Sequence, residues 1–90
     1  MRPLNQLAAE ILVDWKESPS SAAYRVFAKP YVEAMLSMQK CSDMYGMEYG
    51  DMIVARALNA LHQWRGETAR KVKAELNAHL KDFNDRHSGS

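Results

Sequence analysis

Apolar positions recur at helical spacing along most of the chain. Leu4, Leu7, Ala8, Ile11, Leu12 and Trp15 form one stripe and predict a first helix over about residues 3–17. Pro3 suits its first turn, where a missing N–H costs nothing. Ser18-Pro19-Ser20-Ser21 ends that helix and offers an N-cap to the next. A second helix near 21–28 is short, because Lys29-Pro30 disfavours helical geometry at Lys29. Pro30 then opens a third helix to about Cys41, burying Tyr31, Ala34, Met35, Met38 and Cys41. One kinked helix over 21–41 is the alternative.

Residues 42–50, SDMYGMEYG, break the pattern and read as a loop punctuated by Gly46 and Gly50. Asp51 is placed to cap a further helix that buries Ile53, Val54, Ala57, Leu58, Leu61 and Trp64. Gly66 fits the position just past its end. A last helix runs over about 67–83, buried through Ala69, Val72, Leu76, Leu80 and Phe83. Residues 84–90 read as a mobile polar tail. No stretch carries a strand pattern. The expectation is one all-α domain over 3–83, a compact bundle of four to five helices.

Composition supports that picture and narrows function. Ninety residues, 47% of them hydrophobic, make one core and one domain, near the size where self-association helps. A homo-oligomer is expected on that ground. The formal net charge of +1 argues against a nucleic-acid-coating protein and against an acidic mimic. Cys41 is the single cysteine, so no intramolecular disulfide forms and a reducing compartment is expected. Glu10 and Asp14 interrupt the start where a secretory signal needs an apolar run. No apolar run approaches the ~20 residues of a membrane span. The expected location is cytoplasmic.

Catalytic motifs are absent. His62, His79 and His87 show no metal-ligand spacing, and His79 reads as a rim residue of the last helix. Cys41 with His62 is a conceivable dyad, but Cys41 shares a face with Met35 and Met38 and reads as a small apolar residue. Glu10/Asp14 and Asp82/Asp85 sit on predicted outer faces. No phosphate loop, dinucleotide fingerprint or other cofactor motif occurs, so neither enzyme nor cofactor is expected.

Two stretches remain as binding candidates. Five methionines fall between residues 35 and 52. Met35 and Met38 read as core filling. Met44, Tyr45, Met47 and Tyr49 form an apolar, aromatic loop of the kind that marks a partner interface. The second stretch is WRGETARKVK, residues 64–73. A helix starting there has free N–H groups that favour an anion. Trp64, Arg65, Gly66, Thr68, Arg70 and Lys73 are its candidate ligand or anion contacts. The same residues also describe a plain helix junction: Trp64 is in phase with Leu61, and Lys71 with Glu75 is an ordinary i,i+4 pair.

Pro30-Tyr31, Ala34-Met35, Met38, Asp43-Met44-Tyr45-Gly46, Ile53-Val54 and the run from Trp64 to Leu76 together make a pattern. Written as KPYxxAM, DxYG and WRGExARxxKxEL, it resembles a group of small, uncharacterised helical proteins encoded by bacteriophages and prophages. The likeness covers about residues 3–80, is most specific in the second half, and has no counterpart for residues 16–28. It implies a phage accessory protein of a bacterial cytoplasm but carries over no site residues. By analogy of setting, the expected function is counter-defence or host takeover through stoichiometric binding and inhibition of a host protein, as an anti-CRISPR-type inhibitor does. The alternative is a sponge that sequesters a signalling or cyclic nucleotide between subunits. Helix-turn-helix-like DNA binding, with residues 64–66 as the turn, is weaker because the net charge is low.

Overall fold

A computed structural model describes residues 2–17 and 23–87, leaving aside the side chains of Tyr45 and His87. Four helices appear among them: α1 (Leu4–Glu17), α2 (Tyr24–Met35), α3 (Gly50–Ala60) and α4 (Glu67–His87). A two-stranded antiparallel hairpin, β1 (Met44–Tyr45) and β2 (Glu48–Tyr49), precedes α3. The helices pack in a ring, α1 on α2, α2 on α3, α3 on α4 and α4 back on α1. The fold is an all-α bundle of four helices. Its axis is filled by Leu4, Leu7 and Ile11 from α1, Val32 and Met35 from α2, and Val72 and Leu76 from α4, among others.

Pro30 does not divide the second segment. Ala28, Val32 and Met35 are fully buried at i, i+4 and i+7 of one continuous helix. Pro30 and Val26 are both exposed, so the carbonyl that loses its partner lies on the solvent side. The expected two-helix division gives way to this burial. The helix also stops at Met35 rather than Cys41. Leu36, Ser37 and Met38 each donate to the carbonyl three residues back, and the Ser37 hydroxyl donates to Ala34 O at 2.9 Å. Met38 and Cys41 are buried as expected, but from turns.

The expected loop over 42–50 contains the hairpin. Met44 pairs with Tyr49 and Tyr45 with Glu48, and Gly46 turns the chain at a φ of 65°. Asp51 is in the first turn of α3 and not its cap; Tyr49 holds the cap position without a side-chain bond. α3 ends at Ala60, and Leu61 and Trp64 are buried from the following turn. Gly66 therefore does not close α3. Its carbonyl accepts from Arg70 N at 3.0 Å and opens α4. α4 runs to His87, four residues past the predicted end, so residues 84–87 are helical rather than tail. The expected breaker at 18–21 and the last residues, 88–90, lie outside the described residues.

Candidate binding surfaces

The 64–73 stretch folds around a cavity of about 380 Å³ lined by His62, Trp64, Arg65, Gly66, Ala69, Arg70 and Lys73. Five of the six predicted ligand contacts meet there; Thr68 does not line it. Among the described residues no acidic side chain lines it either. Arg65 and Arg70 are exposed and, among the described residues, their guanidinium groups have no hydrogen-bond or ion-pair partner. Glu67, in the first turn of α4, pairs with Lys71 at 3.6 Å. The expected Lys71–Glu75 pair is replaced, because Glu75 turns to Arg2.

Two of the predicted contacts have other roles. Trp64 is 3% exposed, and its indole Nε1 donates to Asp14 Oδ2 at 2.7 Å. It cannot offer a ring face for stacking. Lys73 donates its ammonium to the Trp64 carbonyl. Burial, then the charge of Arg65, lowers the Lys73 pKa below the usual lysine value. Arg65 and Arg70 are the cations left for a ligand.

The hairpin is the second region. Met47 is 95% exposed, Met44 54% and Tyr49 52%. Met52, one turn into α3, adds to the apolar surface. The base of this tip is closely held. Gly50 N donates to Asp43 O at 2.7 Å, and the Asp43 carboxylate accepts from Gln39 N at 2.8 Å and Lys40 N at 3.3 Å. A Cβ on Gly50 would lie 3.1 Å from three backbone carbonyls, those of Lys40, Cys41 and Asp43. Arg56 clasps the Glu48 carboxylate at 2.7 and 3.0 Å. The Tyr49 ring rests against Phe83 at 6.2 Å between centroids.

Cys41 meets His79 and Asp82, not His62, around a cavity of about 220 Å³. Burial first, then the charges of Asp51 and Asp82, push the thiol up to about 12. At neutral pH it is protonated and a poor nucleophile. His79 is buried and not a rim residue, with Nε2 donating to Arg2 O at 2.6 Å. Glu10 and Asp14, expected on an outer face, are half-buried and bonded to Arg2 and Trp64. No group of three or more His, Cys, Asp or Glu among the described residues could hold a metal ion. No described helix is long and apolar enough to cross a membrane.

Sequence reasoning missed a third feature, a cavity of about 490 Å³ between α2 and the end of α3. Tyr24, Phe27 and Tyr31 line it from α2. Their spacing of three and four residues was a readable sign of one aromatic face. No protein-family model, curated protein or solved structure matches this chain.

Proposed function

We propose that this chain acts by stoichiometric, non-enzymatic binding, with the 44–49 hairpin as its contact for a partner protein. The observation that carries the reading is Met47, 95% exposed at the tip of a hairpin whose base is pinned by backbone bonds. An apolar tip on a rigid base loses little conformational entropy on docking, and thioethers adapt to uneven apolar pockets. The likeness to phage-encoded proteins supplies the setting. The partner is a protein of the bacterial host, met in the cytoplasm, and binding inhibits it in the manner of an anti-CRISPR or other counter-defence factor. A homo-oligomer, which multiplies the contact, belongs to the same reading.

Affinity capture from a bacterial host lysate tests it. The wild-type chain retains a host protein in stoichiometric amount, and Met47→Ser, with unchanged melting temperature, does not. Equal retention by both, or none by the wild type, overturns the reading.

A second reading is favoured by Arg65 and Arg70, two cations without partners among the described residues that line one cavity. That arrangement suits an anionic ligand, and in a counter-defence setting a sequestered signalling nucleotide. Arg70→Ala then weakens anion binding while Met47→Ser leaves it intact.

A further inference from the structure

The cationic cavity has a neighbour. His62 lines it and also lines the larger cavity between α2 and α3. The chemistry changes from one to the other. Tyr24, Phe27 and Tyr31 give the larger cavity an aromatic wall. Phe27 is 69% exposed, so its ring is open to a ligand. Asn59, near the end of α3, and Gln63, in the turn after it, line the same cavity and carry primary amides. Among the described residues, neither side-chain amide has a hydrogen-bond partner. The one guanidinium there, Arg56, is already paired with Glu48. This cavity therefore suits a flat, uncharged group with donor and acceptor edges.

A nucleobase is such a group. Aromatic side chains stack on any base face, and Asn or Gln amides match a donor–acceptor pair on a base edge. The volume, about 490 Å³, falls within the range of roughly 300–1,000 Å³ for small-molecule sites. The adjoining cavity supplies the complementary half. Arg65 and Arg70 offer guanidinium donors that match phosphate oxygens, and among the described residues no carboxylate lines that cavity to oppose them.

We propose that the two cavities form one site for a free 5′-mononucleotide. The base lies between the aromatic wall and the Asn59 and Gln63 amides, the phosphate lies at Arg65 and Arg70, and the sugar crosses His62. The proposal rests on the second reading above, that the cationic cavity takes an anion. Lys73 is a positioning residue here: its bond to the Trp64 carbonyl holds the wall of the phosphate half. Among the described side chains of residues 44–49 none lines either cavity, and the hairpin reaches the site through Glu48, which pairs with Arg56.

Calorimetric titration of the whole chain tests it, using AMP, GMP, CMP and UMP, their nucleosides, inorganic phosphate and short single-stranded oligonucleotides. At least one mononucleotide binds about tenfold more tightly than its nucleoside and than phosphate. Phe27→Ala and Arg70→Ala, both at exposed positions, each weaken that binding about tenfold with unchanged melting temperature. Met47→Ser binds as the wild type does, whatever its effect on protein capture. Phosphate binding as tightly as every nucleotide keeps the anion reading and overturns the nucleotide site. Binding of oligonucleotides alone overturns it in favour of a nucleic-acid interface. Indifference to either cavity variant overturns the placement, and no saturable binding overturns the anion reading as well.

Discussion

The indole Nε1 of Trp64 donates to Asp14 Oδ2 at 2.7 Å, tying α1 to the turn between α3 and α4 across fifty positions of sequence. The bond satisfies a buried donor that would otherwise lose water for nothing. Asp14→Ala is expected to lower stability by about 1–2 kcal/mol in urea unfolding, because the indole N–H is left unpaired. Trp64→Phe removes the donor as well, so adding Asp14→Ala to it should cost far less than Asp14→Ala alone. A double-mutant cycle measures that difference.

Arg2 is held by two carboxylates, Glu10 of α1 and Glu75 of α4. The hydrogen bond from Arg2 lowers the Glu75 pKa below its ordinary 4.5. A carboxylate with a lowered folded value adds stability above its ordinary pKa and loses it as pH falls through the folded one. The melting temperature of Glu75→Gln should therefore lie below that of the wild type at neutral pH. The two should converge as the pH is taken below about 4.5. Parallel curves at all pH values would show that the pair contributes nothing.

Cys41 is 2% exposed with its thiol pushed up to about 12. Thiolate is the reactive form, so labelling by a disulfide reagent at neutral pH should be slow in the folded protein and fast in urea. Rapid stoichiometric labelling of the folded chain would contradict both the burial and the direction of the shift.

Two glycines of the hairpin region should respond differently to alanine. At Gly50 the new methyl meets three carbonyls at 3.1 Å, and stability should fall by about 1–3 kcal/mol as the hairpin base is forced apart. At Gly46 the space is open, and the cost is that of a left-handed φ of 65°, about 1–2 kcal/mol. Gly50→Ala should also perturb the Asp43 contacts, visible as faster amide exchange at Gln39 and Lys40. Gly46→Ala should leave those amides protected.

The helix-forming stripes were legible because they are local. Leu4, Leu7 and Ile11 lie on one face whatever the rest of the chain does, and so do Val72 and Leu76. The ends of elements were less legible. Lys29-Pro30 signals a boundary by sterics alone, but the boundary yields to the burial of Ala28 and Val32 on either side of it. Gly66 carries a φ of 118°, a value equally useful after one helix or before the next. The hairpin left no strand pattern because its strands are two residues each.

The candidate sites divide in the same way. Met47 was readable as part of an apolar, aromatic loop, and its exposure follows from the turn it occupies. Trp64 and Arg65 are adjacent in sequence and opposite in role: one is buried against Asp14 and the other is exposed without a partner among the described residues. The phase of Trp64 with Leu61 foretold its burial; its bond to Asp14 was not legible, because Asp14 arrives from another helix.

By itself the sequence determined an all-α chain, the apolar faces of α1, α3 and α4, and a cationic run beside a glycine. Each is set by backbone periodicity or side-chain chemistry within a few residues. Tertiary structure alone decided that Arg2 meets Glu75, that Cys41 meets His79 and Asp82, and that an aromatic cavity adjoins a cationic one at His62. Those juxtapositions depend on which helix faces pack together, a choice governed by the summed burial of the whole core rather than by any one stretch.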